Sequence, residues 1–185
     1  DAAGHLSTNG IILLLFSSRT NKDKVDEIIE NNLLESKLVG TKDLFMEVLY
    51  VCLVGKNDLL RQLSKKGVSK IKKFAKGLRG IIYTGNFKGK KVAVKAERKD
   101  SQAKDRAKNE TKWLKILNKK GIGPKFLFSG KDYFAYEFVE GEFILDYLEK
   151  KSKKETLGIV KKVLEQCYAM DRLGVNKEEM HKPVK

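Results

Sequence analysis

Hydrophobic and polar positions change their period near residue 67. In "NKDKVDEIIENNLLESKLVG", residues 21–40, Val25, Ile28, Ile29 and Leu33 recur at helical spacing, which predicts an amphipathic helix. Thr20 or Asn21 is placed to cap it, and Gly40 to end it. "TKDLFMEVLYVCLVG", residues 41–55, is more evenly apolar and predicts a second, largely buried helix. A third follows Asn57 over residues 58–67. "GIILLLFS", residues 10–17, reads as a short buried strand or the start of a core segment. The expected N-terminal part, residues 1–66, is therefore a mostly helical accessory domain.

After Gly67 the period becomes two. "VSKIKKFAKG", "LRGIIYTGNFKG" and "KKVAVKAERK" alternate and are rich in β-branched residues, with Gly77, Gly80, Gly85 and Gly89 between and within them. They predict an antiparallel meander. Residues 100–121 return to helical spacing, with Asp100 or Ser101 as cap and Gly121 as terminator. Residues 123–141 predict two more strands turning at Gly130. Residues 142–174 predict helix, with a break near 151–155. The expected fold is α+β, an antiparallel five-stranded sheet with one helix followed by further helices. The second unit is residues 67–185.

Charge sharpens this division. The 185-residue chain has a net charge of +15. Residues 1–66 hold nine Lys/Arg and nine Asp/Glu, so the whole excess belongs to residues 67–185. Residues 67–95 contain nine Lys/Arg and no acid. An anionic ligand or partner suits that part of the chain: on charge alone a nucleotide, nucleic acid, an acidic protein or a membrane surface. Two histidines exclude a histidine-rich metal site. Cys52 and Cys167, far apart among apolar neighbours, read as core thiols in a reducing compartment. "IILLLF" falls well short of the roughly 20 residues that span a bilayer. "DAAGHLSTNG" lacks the pattern of a signal peptide. A cytoplasmic protein without a membrane partner is expected.

Three features carry candidate chemistry. Glu110 precedes Trp113, Leu114 and Leu117 by three, four and seven residues, on the apolar stripe of its helix. A carboxylate there needs a cation. In "KKVAVKAER" strand alternation sets Ala93 and Lys95 on one face and Val92 and Val94 on the other. The small Ala93 leaves room for a flat ligand, and Lys95 points to the same side. Lys95 is placed to bridge Glu110 and phosphate oxygens. Gly77 and Gly80 allow backbone N–H groups to approach phosphate closely.

"KGLRGIIY", "VAVK", "NETKWLKIL" and "FAYEFVEG", in this order and spacing, resemble the small lobe of the protein-kinase fold, closest to the small RIO-like archaeal Ser/Thr kinases. The resemblance covers about residues 68–185 and implies ATP as ligand, with Mg²⁺, and phosphotransfer to a protein substrate. It implies that Gly77 and Gly80 are the second and third glycines of a glycine-rich loop, with Ala75 where the first would stand. Lys95 matches the phosphate-binding lysine and Glu110 its ion-pair partner. The implied nucleotide set is Gly77, Gly80, Ile82, Ala93, Lys95, Glu137 and Val139. Ala93 would roof the adenine, and the backbone of Glu137 and Val139 would meet its edge.

"LGVNKEEMHKPVK", residues 173–185, resembles the start of a catalytic loop, with Lys177-Glu178-Glu179 in place of His-Arg-Asp. Glu178 or Glu179 is then the candidate catalytic carboxylate. The metal-binding segment of the family would lie beyond these residues. The resemblance thus implies either part of a longer kinase, with a partial helical large lobe, or a pseudokinase that binds without transferring. The alternative is a module for nucleic acid or an acidic partner, with Phe74, Tyr83 and Phe87 among lysines.

Overall fold

The computed structural model describes residues 2–77, 80–98 and 106–175. The elements are α1 (Ala2–His5), β1 (Ile11–Ser17), α2 (Lys22–Asn31), β2 (Leu34–Leu44), β3 (Glu47–Lys56), α3 (Asp58–Lys65), β4 (Val68–Lys76), β5 (Ile81–Phe87), β6 (Lys90–Ala96), α4 (Arg106–Asn118), β7 (Phe126–Ser129), β8 (Tyr133–Glu137), α5 (Ile144–Glu149) and α6 (Lys153–Arg172). Two antiparallel sheets result, in the orders β1-β3-β2 and β4-β5-β6-β8-β7. The fold is α+β, as expected.

The N-terminal part is not the helical extension the pattern predicts. α2 ends at Asn31, Leu33 turns the chain at φ 58°, and Leu34 opens a strand. Residues 41–55 are the end of β2 and most of β3, joined through Phe45 and Met46. The apolar run over residues 48–54 suits a buried helix or a strand equally, and periodicity cannot separate them. Here β-branched and aromatic residues, Val48, Tyr50, Val51 and Val54, favour the strand. Gly40 ends no helix; it lies at a bulge where the β2–β3 register shifts after Leu38. The capping expectations hold. Asn21 accepts from the Lys24 N–H at 3.2 Å and Asn57 from the Leu60 N–H at 2.9 Å.

The second sheet follows the expected meander. Gly85 lies inside β5 rather than at a turn. A Cβ there would stand 2.9 Å from Val68 Cγ1, so glycine lets β4 pack close. The helix expected from residue 100 is described from Arg106, and its cap candidates Asp100 and Ser101 lie outside the described residues. Gly121, at φ 69°, follows its end. The break in the last helical segment is set by Ser152, which opens α6 with a reciprocal capping box to Glu155.

Strand alternation divides the work of β6. Val92, Val94 and Ala96 face a core shared with Leu60 and Leu63 of α3 and with Cys52 and Val54 of β3. Ala93 and Lys95 face the opposite side, toward α4, which packs on β7 and β8. The first sheet and α3 thus back the second sheet and leave its other face for a site. Cys52 is buried, Cys167 half-buried, and both are free thiols. Among the described residues no helix is long and apolar enough to cross a membrane.

Candidate functional site

Lys95 is the sixth residue of β6. Register sets Ile82 of β5 and Phe134 of β8 beside it, with Thr84 and Tyr136 flanking Ala93 on the same face. Lys95 Nζ donates to Glu110 Oε2 at 2.5 Å. The two side chains are 27% and 36% exposed, so the pair is reachable from solvent. Glu110 is not on the most buried line of α4, which runs through Ala107 and Thr111. It stands beside that line, where a carboxylate keeps part of its hydration.

An ammonium has three donors. The bond to Glu110 leaves two for an incoming anion, and charge-assisted bonds are the strong ones. Gly80 closes the site from above. A Cβ on it would lie 2.7 Å from the Ala96 carbonyl oxygen and 3.7 Å from Lys95 Cε. The Ala96 backbone leaves no room for a side chain there, so glycine lets the start of β5 approach the end of β6 beside the lysine. Gly77 N–H donates to the Gly80 carbonyl at 2.9 Å, closing the turn. Gly77, Gly80, Ile82, Ala93, Lys95 and Glu110 thus lie at the turn between β4 and β5, along β5 and β6, and on one face of α4.

Glu137 and Val139 lie elsewhere on the sheet. Glu137 pairs with Val92, three residues and about 10 Å along β6 from Lys95. Its N–H already donates to the Lys125 carbonyl at 2.9 Å. Val139 is 71% exposed, and its N–H has no partner among the described residues. Next to them Phe74 of β4 meets Phe138 edge-on at 5.5 Å, and Lys91 lies over Phe138 while pairing with Glu140. Glu178 and Glu179 fall outside the described residues. Among the described residues no three His, Cys, Asp or Glu side chains are grouped to hold a metal.

Two site residues escape a reading of periodicity. Tyr136 is half-buried, and its hydroxyl is pushed above the usual range by burial first and by the Glu110 charge second. It stays a neutral O–H on the face that carries Lys95. Glu97 anchors α4. Its N–H donates to the Asp132 carbonyl at 2.8 Å, and its carboxylate accepts from the Ala107 N–H in the first turn of α4. An anion at a helix N-terminus is favoured. One turn further along, Glu110 faces Lys95. Charge distribution carries the signal for Glu97: it is the first acid after Asp58. Removing this anchor by Glu97→Ala is expected to cost about 1 kcal/mol. Hydrogen exchange should then speed about fivefold at the amides of Ala107 to Glu110. Glu97→Gln, which keeps an acceptor, should restore most of the protection, and unchanged exchange in the alanine variant would refute the anchor.

Comparison with protein-family models gives no match, and comparison with curated proteins gives none either.

Proposed function

We propose that the chain binds ATP on the α4 face of its five-stranded sheet, as a protein-kinase-like small lobe, and that the reaction it serves is phosphotransfer to a serine or threonine of a protein substrate. The supporting observation is the contact between Lys95 on β6 and Glu110 on α4. A carboxylate on the helix fixes the lysine, and the lysine keeps donors for the α- and β-phosphates. Gly77 and Gly80 form the turn above the phosphates, and Ile82 and Ala93 offer the apolar surface for the base. Val139 supplies a backbone N–H for the base edge; at Glu137 only the carbonyl serves, its N–H being bound to Lys125. Mg²⁺ would enter with the nucleotide and neutralise its phosphates. Glu178 or Glu179 would take the hydroxyl proton.

ATP with Mg²⁺ is expected to raise the melting temperature. At a hundredfold excess over Kd the gain is about 2.7 kcal/mol, which is roughly 5–10 °C for a chain of this size. No response to any nucleotide, with or without Mg²⁺, would end this reading. Label from γ-labelled ATP then separates transfer from binding: incorporation marks a kinase, and its absence beside a nucleotide-dependent shift marks a pseudokinase.

A second reading has its own support. Lys70, Lys72 and Lys76 on the edge strand β4 are exposed with no acidic partner among the described residues, and Phe74 beside them is 61% exposed. Such a surface suits a single-stranded nucleic acid. That reading requires an affinity that falls steeply with salt.

A further inference from the structure

Among the described residues the first sheet has one covered face and one bare face. Ile12, Leu14 and Phe16 of β1 pack against the core. Ile11, Leu13 and Leu15 point the other way and are 64%, 68% and 61% exposed. Register sets Leu53 beside Leu13 and Val51 beside Leu15, with Leu49 beside Ser17. The result is an apolar surface two strands wide and seven residues long, roughly 10 Å by 23 Å. Apolar patches of a few hundred Å² are about the largest a typical single chain exposes, and such patches are often functional.

The pattern on this face identifies its occupant. Read across the sheet, four rungs succeed one another: Ile11, Gly55 and Glu35; Leu13, Leu53 and Lys37; Leu15, Val51 and Gly40; Ser17, Leu49 and Lys42. Lay a copy of this sheet on itself about a two-fold axis perpendicular to the strands. The first rung then meets the fourth, and the second meets the third. Leu13 meets Leu15 and Leu53 meets Val51. Leu49 enters the space left by Gly55, and the stem of Lys37 the space left by Gly40. At the rim Glu35 meets Lys42. Glu35 keeps its intramolecular bond to Arg61 and, with its side chain 49% exposed, has an oxygen to share. Large meets small, apolar meets apolar, and opposite charges meet at the edge. A surface complementary to itself is what an isologous dimer requires.

We propose that a second copy of this chain docks on the bare face of β1 and β3, forming a two-layer sandwich about a two-fold axis through the middle of the face. The layers stand about 10 Å apart, as in other packed sheets. The face is smaller than the roughly 800 Å² per partner of a standard interface, so the dimer belongs to the weak class, with a micromolar Kd. The proposal is independent of nucleotide binding.

Sedimentation equilibrium of the 185-residue chain, from about 1 to about 200 µM, tests it. A monomer–dimer equilibrium is expected. Leu13→Lys should weaken it at least about tenfold without lowering the melting temperature, because Leu13 is exposed in the single chain. Lys42→Glu should weaken it about threefold, and Glu35→Lys combined with Lys42→Glu should recover the loss, since exchanged rim charges still attract. A monomer throughout the range, a species larger than a dimer, or failure of the exchanged pair to recover would each overturn the proposal. So would a dimer that survives Leu13→Lys and dissolves on Leu164→Lys, which would move the interface to the exposed stripe of α6.

Discussion

Replacing Lys95 by alanine should erase the ATP-dependent rise in melting temperature while leaving the nucleotide-free protein nearly as stable as before. The two halves of that result have different origins. The pair with Glu110 is partly solvated, its members 27% and 36% exposed. Such pairs contribute about 1 kcal/mol or less to folding. Phosphate binding is another matter. In the proposed binding mode two charge-assisted bonds at about 1.5–3 kcal/mol each would be lost together, so affinity should fall at least about a hundredfold. A rise of about 5–10 °C would then shrink to roughly 1–2 °C at most at the same ATP concentration. Lys95→Arg is no remedy, because a planar fork replaces a compact ammonium under Gly80. Glu110→Gln should act more mildly, about tenfold, since the lysine keeps its charge and loses only its fixed position. Wild-type protein stabilised by ATP together with an equally stabilised Lys95→Ala variant would remove Lys95 from the site. Measuring both alone and with Glu110→Ala then separates positioning from charge, because residues acting through one contact do not add.

Local pattern and long-range pairing explain what was legible beforehand. The meander from β4 to β6, the strand pair β7 and β8 and the caps at Asn21 and Asn57 rest on alternation and side-chain hydrogen bonds within a few residues. Those signals are local. The pairing of Lys95 with Glu110 was legible for a related reason. Each sits at a position fixed by its own element's period, and opposite charges on facing surfaces seek one another. β2 and β3 were not legible. "VLYVCLV", residues 48–54, is apolar on every side, and what makes it a strand is partners on both flanks: β2, turning back at Phe45 and Met46, and β1, about thirty residues away. Glu97 and Tyr136 escaped likewise. Their roles depend on where α4 starts and on a neighbour across the sheet, not on any period of their own. Ile11, Leu13 and Leu15 read as buried because apolar residues in a strand usually are. Only their exposure in the fold shows that, among the described residues, one side of β1 has nothing over it.

Leu63→Ala should be among the most damaging substitutions in the chain, and its effect should reach both sheets at once. Leu63 is fully buried on α3. It belongs to a cluster with Cys52 and Val54 from the first sheet and with Val68, Val92 and Val94 from the second. Truncating a buried leucine costs about 3–5 kcal/mol, part transfer and part cavity. Total stability is about 5–15 kcal/mol, so roughly a fifth of it or more would go. The melting temperature should drop by roughly 10 °C. The location matters as much as the size. β6 carries the core on one face and Lys95 on the other. A core that loosens behind Val92 and Val94 loosens the strand that aims the lysine. Urea unfolding followed at Trp113, on α4, and by far-ultraviolet dichroism, for the whole chain, should therefore show coincident transitions shifted together. Two separated transitions, with only one moved by Leu63→Ala, would mean that the sheets unfold independently and that α3 links them without coupling them. One shifted transition would make the N-terminal sheet part of the platform on which the site is built.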